Sequence, residues 1–426
     1  MLAVLCAFTA APASAKVYID IHSPSATQFP IVIAPFVKTG GAPDSAGTVT
    51  TIAGTIAGNL AFSGFFRVLD PAALDGRIFT GVTRDKIRWD RLAIIGAEAL
   101  VTGSCSFAGK DRFSTELRLF DSVQAKFITG KKYEGTTADA RLVAHKFSNE
   151  IFRRLTGTEG VFETKIAYVK NEGGAKEIFI SDFDGHNPTK VTRYRSLSLS
   201  PAWSPDGKKI AFTSYKDGNP DLYIQDLYTA TIKKASHKKG INISPCWSPD
   251  GKRIALTLSL NNGNSEIYVL TADTGNLERM THDWATDVSP AWSPDGKKIA
   301  FVSSRAGGPQ LYCLTLKTGK VTRLTYEGSY NTSPAWSPRG DVIAYTRGVD
   351  AVFNICLISV DGTYARQLTT RGSNEDPSWS PDGRFITFSS NRTGRKEIYI
   401  MRSDGANQQR ITQGKGAKTD PAWGPF

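Results

Sequence analysis

Five histidines stand at positions 22, 145, 186, 237 and 282. None belongs to an H-E-x-x-H pair, so the arrangement that sets two zinc ligands on one helix face is missing. A G-x-S-x-G turn, which would raise a nucleophilic serine above a hydrolase sheet, is missing as well. Gly40-Gly41 is not followed by the Gly-Lys-Ser/Thr of a phosphate-cradling loop. Asp182 and Asp184, in Asp-Phe-Asp-Gly, begin like a calcium loop, but the other ligand positions are unfilled and a tight turn is the simpler reading. Cys105, Cys246, Cys313 and Cys356 show no C-x-x-C or other metal-ligand spacing. All four are expected to be unpaired, buried thiols. The carboxylates of Asp287, Glu375, Asp376 and Asp420 lie on separate segments and could pair for acid–base work, which keeps a secreted hydrolase or lyase as an alternative. Tyr330 and Trp284 keep a glycan-binding lectin as another. The favoured reading is a non-enzymatic protein with no cofactor and no metal.

Charge does not point to nucleic acid either. The 426 residues carry a formal net charge of +12, but Lys and Arg are spread along the chain without a long basic run. A nucleic-acid binder concentrates such charge on one face. The length suits two or three compact domains with real cores. Residues 1–15 are uncharged, mostly small and apolar, and end in Ala13-Ser14-Ala15, the pattern of a signal segment cleaved after Ala15. This predicts an exported chain beginning at Lys16. No stretch approaches the roughly 20 apolar residues needed to span a bilayer, so no transmembrane segment is expected.

The strongest pattern is a repeat. Trp203, Trp247, Trp292, Trp336, Trp379 and Trp423 follow one another at intervals of 44, 45, 44, 43 and 44 residues. Most sit in Ser-Pro-Ala-Trp-Ser-Pro-Asp-Gly, followed by an apolar strand such as Lys-Ile-Ala-Phe. A fixed period of this size with one Trp per unit describes the four-stranded blades of a propeller. In Ser-Pro-Asp-Gly, Pro presets φ and Gly takes the left-handed position of the turn. The six Trp read as packing anchors. Second strands number six only if residues 166–169 are counted, and that strand has no Trp strand before it. The expected closure pairs the C-terminal strand 421–423 with residues 166–169, so that the two ends of the repeat region complete one blade and remove the free sheet edges.

Residues 16–157 show no such period. Residues 31–36 and 65–69 read as strands, residues 86–95 as a helix, and residues 99–107, 113–120 and 127–133 as a meander. Ile52, Ile56 and Leu60 mark one helix face, and Val143, Phe147, Ile151 and Leu155 mark another that Gly157 ends. The fold class is therefore an all-β six-bladed β-propeller at the C-terminal side, residues 158–426, preceded by a small α/β domain. Within that domain residues 16–29 read as a mobile partner-binding segment: Val17, Tyr18, Ile19 and Ile21 favour a strand, and Ser23-Pro24-Ser25 a flexible join.

A propeller without catalytic residues serves as a rigid docking platform whose ligands meet the loops at one end of its channel. The residues just before each Trp strand are expected to line that mouth. They are Ser198 and Ser200, Asn242 and Ser244, Asp287 to Ser289 with Val288 between, Asn331 and Ser333, Asn374 to Asp376 with Glu375, and Lys418 to Asp420 with Thr419. They vary while the flanking Pro-Ala-Trp repeats.

Taken together, these residues resemble a known family. The export signal, Phe162-Glu163-Thr164-Lys165-Ile166-Ala167-Tyr168-Val169, the Ser-Pro-Ala-Trp-Ser-Pro-Asp-Gly repeats and the terminal Pro-Ala-Trp-Gly-Pro-Phe are similar to the TolB family. Pro30-Ile-Val-Ile-Ala-Pro-Phe36 and Ser63-Gly-Phe-Phe-Arg-Val-Leu-Asp70 resemble its N-terminal domain. The resemblance implies a periplasmic adaptor of the Tol–Pal envelope system, monomeric on its own, that supports outer-membrane integrity and invagination during division. It implies that the propeller mouth docks the lipoprotein Pal. It also implies that the mature N-terminal segment, here Lys16, Val17, Tyr18, Ile19, Asp20 and Ile21, engages TolA, which TolQ and TolR energise. The Pal-facing positions carried over are those before the second and third Trp strands, with Ile241 where the family pattern has a histidine.

Overall fold

The structure, a computed structural model, describes residues 28–70, 82–260 and 263–426. The expected signal segment with its cleavage point at Ala15, and the segment Lys16 to Ile21, lie outside the described residues. The chain forms two compact units that divide between Phe162 and Glu163.

The first unit is a mixed sheet with helices. Strands β1 (Phe29–Ile33), β2 (Val37–Gly41), β3 (Phe66–Leu69), β4 (Ala99–Ala108), β5 (Arg112–Asp121) and β6 (Lys126–Thr136) pair in the order β3-β1-β4-β5-β6, with β2 also on β4. The single strand expected at residues 31–36 is two strands. Pro35 has no backbone N–H to give to a ladder, so β1 pairs with Ala99 to Val101 and the chain resumes as β2 beside Ser104 to Phe107. Gly41 makes that second approach possible: at φ 81, a Cβ there would lie 1.8 Å from the carbonyl oxygen of Phe107. Helix α1 (Thr48–Ser63) is capped by Asp44, whose carboxylate accepts from the N–H of Thr48 and Val49 at 2.8 and 2.9 Å. The helix expected over residues 86–95 is broken. A 3-10 turn, Arg84–Lys86, precedes an extended Ile87, and α2 spans only Trp89–Ile94. The break lets both Ile87 and Leu92 be buried beside Phe120. Helix α3 (Ala140–Thr156) ends at Gly157, which takes φ 75 and donates to the carbonyl of Arg153.

The second unit is six four-stranded sheets. Five of them run in chain order from an inner, Trp-bearing strand: Ser198–Trp203, Asn242–Trp247, Asp287–Trp292, Tyr330–Trp336 and Asn374–Trp379. We call these blades two to six. Blade one is assembled from both ends of the repeat region: the strand Lys418–Trp423 pairs antiparallel with Lys165–Glu172, setting Trp423 opposite Ile166. Neighbouring blades share cores. Ala300, Val302 and Cys313 of blade four pack with Ile343, Tyr345 and Cys356 of blade five. Two of the Trp donors also cross between blades, Trp203 Nε1 to the Ala422 carbonyl and Trp379 Nε1 to that of Ala335, each at 3.0 Å. Cys105, Cys246, Cys313 and Cys356 are all unpaired.

In each Ser-Pro-Asp-Gly turn the Ser hydroxyl donates to the Asp carboxylate, as Ser204 Oγ does to Asp206 Oδ1 at 2.6 Å, and Gly207 takes φ 69. Blade five carries Arg339 in place of that Asp, and there the N–H of Arg339 itself donates to Ser337 Oγ.

Candidate functional site

The sheet register fixes which loops share an end of the propeller. In blade two Ser198 lies opposite Ser214, and Trp203 opposite Ile210. The start of each inner strand, the loop leading into it and the hairpin between second and third strands therefore sit at one end. The Ser-Pro-Asp-Gly turns sit at the other.

Near the start of each inner strand the ladder slips by a bulge, as between Leu199 and Ala202. The bulged residue is Ser200, Ser244, Ser289, Ser333, Asp376 or Asp420, with φ between 49 and 58, and each is followed by proline. A non-glycine residue at positive φ costs roughly 1–2 kcal/mol. Short polar side chains that bond locally tolerate it best, which suits Ser and Asp. Threonines of the preceding blade help to hold the bulge: Thr257 Oγ1 accepts from the Ser289 N–H, and Thr346 Oγ1 from the Asp376 N–H, both at 3.2 Å. These six residues and their prolines ring a cavity of about 190 Å³ on the channel axis.

The ring is not symmetric. Four members are Ser and the adjacent two are Asp376 and Asp420. Asp420 accepts from the Ser200 N–H and shares a hydrogen bond with Asp376. Asp376 accepts from Ser333 Oγ at 3.0 Å. Burial at the ring, then repulsion from the Asp420 and Glu375 carboxylates, pushes Asp376 up to about 7. Asp420 is raised as well, chiefly by burial. Burial of both carboxyls and the hydrogen bond between them favour a protonated form of the pair over two free carboxylates. Glu375, the residue before Asp376, is half-buried and tied to Lys396 Nζ at 2.8 Å.

As chemistry, the pair is too close for the roughly 5 Å or wider carboxyl separation of a glycosidase. The cavity is also below the roughly 300 Å³ at which pockets for larger organic ligands begin. Within either unit taken alone, no three metal-ligating side chains converge among the described residues.

The residues expected at the mouth fall into three groups. Ser244, Ser289, Ser333 and Asp376 are ring members. Val288, Glu375, Thr419 and Ile241 are half-buried beside the ring or at the loop leading to it. Asn242, Asp287 and Asn331 correct the expectation: each has no exposed surface and faces away from the opening. Ser198, Asn374 and Lys418 are buried as well.

The reason is a buried joint between blades. Asn331 Nδ2 donates to Gln310 Oε1 at 2.9 Å, and that same oxygen accepts from Thr325 Oγ1. Lys418 Nζ and Thr412 Oγ1 both meet the Glu397 carboxylate, at 3.1 and 2.7 Å. Asp287 is paired with Arg305 at 2.8 Å, and Asn242 Oδ1 accepts from Ser236 Oγ. Asn242, Asn331, Asn374 and Lys418 thus close onto the blade before them, whereas Asp287 pairs with Arg305 and Ser198 with Ser214 of their own blades. A polar residue at or near the start of each third strand (Glu177, Asp221, Glu266, Gln310, Asn354 or Glu397) was not singled out by sequence. Its signal was a polar residue at a fixed place in an otherwise apolar strand.

Residues 152–426 match the TolB beta propeller domain and residues 17–128 the TolB amino-terminal domain. The chain belongs to the TolB family. The solved structure of TolB from Acinetobacter baumannii superposes with a TM-score of 0.81 at 30% identity, covering 94% of this chain and 97% of that one. A putative TolB from Agrobacterium tumefaciens, at 23% identity and TM-score 0.51, shares the fold over 60% of this chain and 92% of its own. Among curated relatives, the Tol-Pal system protein TolB of Desulfosudis oleivorans is 41% identical over 192 residues, 45% of this chain and 44% of that protein. That of Syntrophotalea carbinolica is 40% identical over 210 residues, 49% and 48%. The chain thus spans about half the length of the curated relatives it matches.

Proposed function

We propose that this chain is a non-catalytic adaptor of the Tol–Pal system, working in the periplasm. In this reading the loop end of the propeller, above the Ser/Asp ring, docks the lipoprotein Pal. Residues 16–21 engage TolA, and TolQ and TolR drive the cycle that maintains the outer membrane and draws it inward at division. The observation that carries the reading is the closed propeller itself: six bulged inner strands present a rigid ring and a crown of loops at one end. Family membership supports Pal and TolA as the partners. A closed ring suits docking because its loops are fixed by the blades beneath them and lose little freedom on binding.

The test uses the full mature chain and a version lacking residues 16–21, each immobilised and offered the purified soluble domains of the Pal and TolA homologues from the same genome. The expected result is that both chains retain Pal and that only the longer one retains TolA. Failure of the longer chain to bind either domain would overturn the proposal.

A further inference from the structure

The loop end of the propeller is divided by chemistry into two sectors. One sector is basic. Arg193 and Arg195 lead into blade two, Lys238 and Lys239 into blade three, Arg371 into blade six and Lys415 into blade one. All six are exposed, and none lies within ion-pair distance of a carboxylate among the described residues.

The acids of the same loops do not balance them. Glu172 is held by Lys170 and Lys190, Asp217 by Lys234, Asp283 by Arg305 and Glu327 by Arg347, at 2.6 to 3.6 Å. Only Asp350, at the tip of a hairpin, has no such partner among the described residues of these loops. The acids are spent on local pairs and the cations are left over.

The other sector is apolar. Trp284 leads into blade four and is 83% exposed; Tyr326 leads into blade five and is 70% exposed. Beside them blade five raises a longer hairpin than blades two, three, four and six, Val342–Val349 and Val352–Ser359, with Val349 and Val352 exposed at its tip. Tyr330 packs on Phe353 at its base, with ring centroids 5.5 Å apart.

We infer that this end takes a folded protein partner whose docking face is acidic and carries an apolar spot, with the acidic part lying over the loops that lead into blades six, one, two and three and the apolar spot over blades four and five. The inference deepens the proposed docking of Pal and rests on it. A protein is favoured over a glycan because the apolar sector mixes aliphatic tips with Trp and Tyr. Sugars stack on aromatic faces, whereas aromatic residues and Arg together mark protein interfaces. The two sectors also divide the work. Unpaired exposed cations speed encounter through long-range attraction. Desolvated aromatic anchors slow departure.

The experiment follows association and dissociation of the full chain with the soluble domain of the Pal homologue, between about 0.05 and 0.5 M salt. Two exposed-surface variants are compared with the parent. One reverses charge at Arg193→Glu, Arg195→Glu, Lys238→Glu and Lys239→Glu. The other carries Trp284→Ser and Tyr326→Ser. Charge reversal is expected to slow association roughly tenfold or more at low salt and to remove its salt dependence. The apolar variant is expected to leave association unchanged and to speed dissociation roughly tenfold. Binding that is indifferent to salt and to both variants would overturn the inference while leaving the docking proposal intact. No binding of the parent chain, with soluble peptidoglycan fragments bound instead, would overturn both.

Discussion

Replacing Lys418 by methionine removes one half of a buried ion pair at the joint that closes the propeller. The Lys418 and Glu397 side chains are 2% and 4% exposed, and Lys418 Nζ also donates to the carbonyls of Gln413 and Gly414 at 2.9 Å. Methionine keeps the apolar stem but leaves the Glu397 carboxylate with Thr412 and a more distant Arg395 at 3.5 Å. Removing one partner of a buried pair costs about 3–5 kcal/mol, because the remaining charge stays out of water. Arg395 offsets part of that, so about 3 kcal/mol is expected, which lowers the propeller's melting temperature by about 6–12 °C.

The molecule contains its own control. At the joint between blades four and five the same three positions are Gln310, Thr325 and Asn331, with no charge at all. The double variant Glu397→Gln, Lys418→Asn copies that joint and is expected to recover all but about 1 kcal/mol, since replacing both partners avoids a stranded charge. Differential scanning calorimetry of the full chain reads both. A single variant that melts within about 2 °C of the parent, or a double variant as unstable as the single, would refute the claim that Lys418 is there to match Glu397.

The remaining predictions concern the ring and the closure. An unfolded aspartate titrates near 3.8 while folded Asp376 titrates at about 7. The folded state therefore holds a proton that the unfolded chain has released, and stability falls as pH rises through that window and levels off above it. Asp376→Asn, which can still donate to Asp420 and tolerates positive φ, should match the parent near the acid end of the window and exceed it above neutrality; parallel melting curves across the window would contradict this. Deleting residues 418–426 leaves the edge of Lys165–Glu172 unpaired and removes the carbonyl that Trp203 Nε1 meets. The propeller is then expected to lose its cooperative calorimetric transition, and a melting temperature within a few degrees of the parent's would show that the ring does not depend on its own end strand.

Much of the fold was legible because it is written locally. The Trp interval of about 44 residues is the length of chain that four short strands and their turns consume, so the blades could be counted before any were seen. Gly157 ended its helix as expected because a left-handed φ is a property of the residue itself. Local signals also failed in identifiable places. The apolar run around Pro35 looked like one strand, yet the missing N–H made it two. Residues 86–95 had helical spacing, but burying Ile87 beside Phe120 required an extended residue.

At the candidate site the division is sharper. Sequence alone determined that six polar, variable positions precede six repeated Pro-x-Trp strands, and that the chain is built to repeat rather than to assemble a known catalytic motif. Only the tertiary structure decided which of those positions meet solvent. Asn242, Asp287 and Asn331 stand two residues from Ser244, Ser289 and Ser333, and in an ideal strand would share their face. The bulge between them breaks that alternation, sending the first of each pair into the buried interior and leaving the second on the ring. The pairing of Asp376 with Asp420 belongs to the same level. They are 44 residues apart in sequence, and they share a hydrogen bond only because the blades they belong to are neighbours in a closed circle.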